Sequence, residues 1–562
     1  MTRSRPVGIA WVLSVFIAAA ATGQTLNIGD DAPTLEGTKW FNGEPVDLAA
    51  AKGGKVVVVE FWATWCGPCI AAMPHLTQLQ KDYADKDVII IGVTRPDPNN
   101  ALEKVEEFVG KNTDKMAYRV AFDGNETTFN GYMKAAGQNG IPTAFIVDRD
   151  GKVAWIGHPI NMDQPLAEVV AGTHDLQKGR AVKTLETYAG QLQRKLDFEG
   201  AARVYEAIAA LDPEDPAPWG SLARMYAYQL DWPGKTREAA QKAVKLAHDN
   251  AVFLTSFATF LAGRDEKYKL QAMALATAKR AVELDGQSHE ARLALVKALV
   301  AVDNIPDATR MAGETIDMLH DAGDLANLAS SLSRENDALK PLAVKAAQRS
   351  LELEPQNAKS NLTLVTALAA AGRVDDAMAA ARNAMKVLGD DAPSLARLAN
   401  ALATPELEGR CGALALEAID AALAAEPQEP AHEQTKFRIL ALCQKDLKAA
   451  AAAAAYAIEK GGENASFLNN LAWSMLTDEG LAGHFNAQAL EAAQRCHELS
   501  EGKNWMFLDT LALAKFETGA VAEAVELETK SIEMAKEKGV TGASMTDLEE
   551  ALKRFKGGAK TD

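Results

Sequence analysis

Cys66-Gly67-Pro68-Cys69 is the short segment of this 562-residue chain whose residue types and spacing define a reaction. Two thiols separated by two residues can cycle between dithiol and disulfide. The pair follows a β-branched run, Lys55 to Trp62, and opens a helical pattern. Its first sulfur therefore falls at a helix N-terminus, where backbone N–H groups and the macrodipole stabilise a thiolate. Cys66 is the expected nucleophile. Cys69, one turn further on, is placed to attack a mixed disulfide and release the substrate. Gly67 and Pro68 suit the turn and the first helical positions, where a missing N–H is harmless. A zinc site would want a second ligand pair at matching spacing, and the other cysteines, Cys411, Cys443 and Cys496, lie far downstream. Haem attachment would want His after the second cysteine, and position 70 is Ile70. A merely structural disulfide competes, but a two-residue gap directly after a strand is the redox arrangement.

The elements that must carry this pair alternate strand and helix over residues 24–173. Strands are expected at Lys55 to Trp62 and Asp87 to Val93, with a hairpin of Ala144 to Asp148 and Lys152 to Ile156 about Asp150-Gly151. Helices are expected at Cys66 to Asp85, Ala101 to Gly110 and Thr127 to Gln138. Buried central strands covered by helices on both faces follow.

The run Glu60-Phe61-Trp62-Ala63-Thr64-Trp65-Cys66-Gly67-Pro68-Cys69 resembles the thioredoxin signature. Pro74 sits where that family kinks its helix, and Gly140-Ile141-Pro142-Thr143 is similar to its cis-proline loop. The resemblance is closer to the TlpA/ResA type of exported thiol-disulfide oxidoreductase. It implies a cis Pro142 beside the sulfurs, with Ile141 and Thr143 among the groups offered to an extended substrate segment. Trp65, Gly67 and Pro68 complete the expected contact surface, and Trp62 is read as packing. Glu60 interrupts an apolar strand that should be buried, where a carboxylate is unfavourable and its pKa should rise. It aligns with the buried acid of thioredoxins, which implies a proton acceptor for Cys69. The chain departs from that pattern in having Glu rather than Asp and no Lys in the next strand. His75 and His158 suggest copper ligands, but such a reading wants three residues between the cysteines; no metal and no cofactor beyond the Cys66–Cys69 disulfide is expected.

From residue 174 to 556 the strand texture disappears. Turns at Asp212-Pro213, His248-Asp249, Asp285-Gly286, His320-Asp321, Glu354-Pro355, Asp390-Asp391, Glu426-Pro427, Glu463-Asn464 and Glu501-Gly502 recur every 34 to 39 residues or about that. Small residues such as Gly372, Ala377 and Ala381 mark where paired helices approach. The pattern resembles the tetratricopeptide repeat family, implying an all-α solenoid of about nine hairpins, then a tail at 557–562. The fold class expected is thus multidomain, an α/β thioredoxin-like fold followed by an all-α solenoid. Cys496 matches a small packed position. Cys411 and Cys443 fall on one edge of the array, close enough to suggest a disulfide. Asn469 and Asn470 are candidates for holding peptide in a concave groove.

With 59 Lys plus Arg against 76 Asp plus Glu, the net charge is −17, which disfavours nucleic acid as a partner. Arg3 and Arg5 before the apolar run Ile9 to Ala21 have the layout of a signal peptide over 1–23, so the mature protein is expected to be soluble outside the cytosol. Together these features give an exported oxidoreductase that reduces protein disulfides, supplied by a membrane electron donor, with an unidentified protein or peptide held by the repeat groove. Net oxidation or isomerisation, or a repeat scaffold whose redox domain docks or senses, are the alternatives.

Overall fold

The computed structural model describes residues 25–404, 407, 409–540 and 543–558, and the leader expected at 1–23 lies outside them. Val56–Phe61 forms β2, every residue of which is buried. That is the signature of a strand covered on both faces, and β2 sits centrally in a six-stranded sheet of order β1-β4-β3-β2-β5-β6. The partners are β1 (Lys39–Phe41), β3 (Val88–Thr94), β4 (Arg119–Phe122), β5 (Thr143–Val147) and β6 (Val153–Gly157). β3 runs parallel to β2 and to β4, whereas β5 is antiparallel to β2 and β6 to β5. The helices of this part are α1 (Leu48–Ala51), α2 (Gly67–Asp82), α3 (Leu102–Lys111), α4 (Thr127–Phe129) and α5 (Asp163–Ala171).

Alternation along the strands divides the core into two layers. Val56, Val58, Ile90, Val120 and Ile146 face Met73 and Leu76 of α2, Val105 of α3 and Leu166 of α5. Val57, Val59, Phe61 and Phe145 face Tyr132 and Met133 on the other side. This is the thioredoxin-like α/β arrangement. Two strands, β1 and β4, were not expected; at three and four residues they are too short to show a period. The helix expected over Thr127 to Gln138 is instead a short helix and a π-helical turn, Asn130–Lys134.

All the remaining described elements are helical. α6 (Leu176–Arg194) pairs with α7 (Phe198–Leu211), and α8 (Pro216–Tyr228) with α9 (Pro233–Leu246). Further helix pairs follow along the described residues, the last being Trp505–Glu517 with Val521–Glu537, before a closing helix, Ala543–Gly557. Ala-rich faces let the paired helices approach: Ala377, Ala381 and Ala384 are all fully buried.

The chain divides into two compact units, Met1–Arg194 with Phe198–Phe253, and Lys195–Asp197 with Leu254–Asp562. Leu176 packs on both layers of the α/β core. A Cβ at Gly179 would meet Ile28 at 3.5 Å and the Ala154 carbonyl oxygen at 3.7 Å, ordinary van der Waals distances, so α6 lies directly against β6 here.

Candidate active site

β2 delivers the chain into the turn Trp62–Trp65, and α2 begins at Gly67 with Cys66 as its N-cap. The Cys66 sulfur accepts a hydrogen bond from the Cys69 backbone N–H at 3.2 Å and is bonded to the Cys69 sulfur at 2.05 Å, so the structure holds the oxidised pair. Both cysteines are buried, while Trp65, Gly67 and Pro68 form the exposed rim above them. Pro74 lies inside α2.

The turn is held by residues that the sequence did not single out. Asn100, fully buried, accepts from both the Thr64 backbone N–H and the Thr64 hydroxyl at 2.9 Å. It donates in turn to the Thr94 hydroxyl at 2.8 Å and to the Arg95 carbonyl at 2.6 Å, and the Thr94 hydroxyl donates to the Trp62 carbonyl at 2.8 Å. The Trp65 indole N–H donates to Asp97 at 2.8 Å, which fixes the exposed ring. The only sequence trace of this brace is the polar segment Asp97-Pro98-Asn99-Asn100 after β3.

β5 pairs with β2 in the register Thr143↔Phe61 and Ala144↔Glu60, which puts the loop before β5 at the cysteine end of the sheet. The Ile141–Pro142 peptide bond in that loop is cis, and the Thr143 hydroxyl closes the turn by donating to the Gly140 carbonyl at 2.8 Å. Two cavities border it. One, of about 320 Å³, is lined by Ala63, Trp65, Arg95, Asp97 and Ile141. The other, of about 570 Å³, runs from Pro142 and Thr143 past His158 to Lys178 of α6 and Asp215 at the N-cap of α8.

Glu60 is 1% exposed, so the acid is enclosed within the sheet and does not face water. Burial pushes its carboxyl up to about 8, and neither oxygen has a hydrogen-bond partner. Trp62 is buried and packs on Phe108 at 5.6 Å between ring centroids. His75 is paired with Asp163 at 2.7 Å, burial holds His158 below the usual imidazole range, and no group of three or more metal-ligating side chains exists among the described residues.

The downstream cysteines are apart from this chemistry. Cys496 is fully buried and burial pushes its thiol up to about 11. Cys411 and Cys443 carry free thiols, so the expected disulfide is not made here, although a Cβ at Gly412 would lie 3.1 Å from that of Cys443. Asn469 and Asn470 line a groove of about 800 Å³ in the second unit with Trp473, Met506, Asp509 and Arg554.

Comparison with known proteins agrees with this geometry. The Redoxin family matches residues 27–169. The protein FixW of Rhizobium leguminosarum is 30% identical over 152 residues, 26% of this chain and 68% of that protein. The thiol-disulfide oxidoreductase ResA of Bacillus anthracis is 34% identical over 133 residues, 24% of this chain and 70% of ResA. The protein DipZ of Mycobacterium tuberculosis is 29% identical over 263 residues, 42% of this chain but 36% of DipZ. Among solved structures, a thioredoxin-family thiol:disulfide interchange protein of Chlorobium tepidum is 28% identical, covering 25% of this chain and 97% of its own, with a TM-score of 0.22.

Proposed function

Because the chain belongs to the redoxin family, with ResA-type thiol-disulfide oxidoreductases among its relatives, we propose that it reduces disulfides of protein clients outside the cytosol. The observation that supports this most directly is the Cys66–Cys69 disulfide at the N-terminus of α2, beside the cis Pro142 loop. In the reductive cycle the Cys66 thiolate attacks one sulfur of a client disulfide, and the other client sulfur leaves as thiolate. Cys69 then loses its proton to Glu60 and attacks the Cys66 sulfur. The client sulfur held on Cys66 departs with the bonding electrons, and the enzyme is left in the oxidised form of the present structure. Pro142, Ile141 and Thr143 offer backbone to an extended client segment, against a rim of Trp65, Gly67 and Pro68.

A Gly-Pro dipeptide between the cysteines fits a reductant with a potential near about −270 mV rather than an oxidant near about −120 mV. Sustained reduction then requires re-reduction of Cys66–Cys69, which we assign to a membrane electron donor reached after export through the 1–23 leader. The redox-active disulfide serves as the sole prosthetic chemistry. The helical hairpins, read as tetratricopeptide repeats, hold a protein or peptide partner in a concave groove such as that of Asn469, Asn470 and Trp473.

The test is the reduction potential of Cys66–Cys69 in defined thiol buffers, combined with turnover of a model protein disulfide. A value near thioredoxin's with turnover supports the reductase. A value about 100 mV more oxidising would assign oxidase or isomerase work. Cycling cysteines without protein-disulfide turnover would leave a redox-sensing scaffold.

A further inference from the structure

Glu60 is one of three polar groups buried together without partners. The Trp62 indole nitrogen and the Tyr118 hydroxyl are likewise buried and bonded to nothing, in residues each 2% exposed. Buried polar atoms are nearly always satisfied, so three orphans in one place demand a common cause.

Their placement follows from the register of the sheet. Glu60 lies between Ala144 of β5 and Gly92 of β3, and Gly92 pairs onward with Val120 of β4. All four belong by alternation to the layer that faces α2 and holds Cys66, Cys69, Trp62 and Tyr118. The two immediate neighbours of the acid are thus the smallest residues available. Larger side chains fill the space from the rows above and below. A Cβ at Gly92 would stand 3.0 Å from Trp62 Nε1 and 3.1 Å from Tyr118 Cε2. The indole N–H and the phenol ring therefore converge over the glycine that pairs with Glu60, and the acid is near enough to Tyr118 to act on it electrostatically.

We propose that the Tyr118 hydroxyl and the Trp62 indole N–H are the donors that hold the ionised form of Glu60, through one water enclosed with them, while Cys69 gives up its proton. The two side chains are positioning residues that act through Glu60, and the inference rests on the reading of Glu60 as proton acceptor. They stand where a cation would otherwise be needed. No charged group shifts Glu60, whose carboxyl is raised by burial alone. The titratable groups of this hydrophobic layer are Cys66 and Cys69 at the start of α2, Tyr118 ahead of β4 and, at its margin, Tyr83 at the end of α2, while α3 and α5 present Val105, Val109, Leu166 and Val169. Tyr118 is itself held well above the usual phenol range by burial and by Glu60, so it remains a donor wherever the acid titrates. Two donors on an anion favour the charged form, and a buried polar site with several partners is where an enclosed water is stable. Proton balance is simple: the Cys69 S–H proton passes to the Glu60 carboxylate, and the Cys69 thiolate displaces the client sulfur from Cys66.

The experiment mixes the reduced full-length chain, with Cys411, Cys443 and Cys496 replaced by Ala so that only the redox pair reports, with 5,5′-dithiobis(2-nitrobenzoate). Attack by Cys66 releases one thionitrobenzoate in a second-order phase. Resolution by Cys69 releases the other in a first-order phase, whose pH profile reports its proton acceptor. Tyr118→Phe should move the midpoint of that profile up by about one pH unit and slow resolution about tenfold at pH 7, leaving the attack phase within about twofold. Gly92→Ala, which pushes indole and phenol off the site with both polar groups retained, should move the midpoint in the same direction and guards against a folding artefact of the first variant. A first-order profile unchanged in both variants overturns the inference. Separately, Glu60→Gln with a wild-type first-order profile would overturn the reading of Glu60 itself, whereas loss of the profile in Glu60→Gln alone leaves Glu60 in place and removes Tyr118 and Trp62 from its service.

Discussion

Replacing Glu60 by Gln should stabilise the redox fold, and by an amount that grows with pH. The carboxyl is held at about 8 in the fold against 4.5 when exposed, because burial penalises its charge. A group whose folded pKa is raised binds its proton more tightly in the fold, so stability is full below pH 4.5 and is lost as pH rises toward the folded value. Converting at 1.36 kcal/mol per pH unit, the ionisable acid weakens the fold relative to a neutral isostere by less than about 1 kcal/mol at pH 5, by about 3 at pH 7 and by nearly 5 at pH 9. Donors to the anion would reduce these figures, so they are upper bounds. Hydrogen exchange into β2 peptides of the full-length chain, compared between wild type and Glu60→Gln at these three pH values, reads the difference locally. A gap that opens between pH 5 and pH 9 is expected. Equal protection at all three would mean that Glu60 is ionised at no unusual cost, and the argument from desolvation would fail.

The brace around the cysteine turn gives a second outcome. Asn100→Ala strands the Thr64 N–H and the Arg95 carbonyl; it should destabilise the fold by about 2–3 kcal/mol and change the Cys66–Cys69 potential, whereas a distant core truncation of equal cost would leave the potential unmoved. Cys69→Ser should trap clients as mixed disulfides on Cys66, visible as dithiothreitol-sensitive adducts by mass spectrometry, and Cys66→Ser should trap none. Asp215, at the N-cap of α8, is pushed up to about 6 by burial and by Asp212 and Glu186. Asp215→Asn keeps the cap, so the variant should gain stability relative to wild type only as pH rises from about 4 through 6, which pH-dependent thermal melts would register.

What the sequence disclosed was whatever is local along the chain. The cysteine spacing, the strand before it and the helix after it lie within one stretch of residues, and their roles follow from adjacency alone. The period of the helical hairpins was legible for the same reason, since each turn carries its own Asp, Asn, Gly or Pro. Asn100 and Tyr118 were illegible because their work depends on which strands become neighbours: Asn100 meets Thr64 across 36 residues, and Tyr118 meets Glu60 only through the register of β2, β3 and β4. The change of texture at 173/174 was legible in composition, whereas the packing of Leu176 and Gly179 against the preceding core was not, because it rests on contacts distant in the chain.

Glu60 joins the two kinds of information. Its interruption of an apolar run marked it in the sequence, yet that run gave no sign of how a carboxylate survives there. The explanation lies in two residues notable for having little side chain, Gly92 and Ala144, which are its partners across the sheet. A larger residue at either position would fill the layer and leave the acid against hydrocarbon. With Gly92 the layer admits an indole N–H and a phenol from neighbouring rows instead. A buried acid held at about 8 weakens the fold, and under the proposed role it is well matched to the Cys69 thiol of the same layer. The small residues beside it are therefore as much a part of the redox site as the cysteines that announce it.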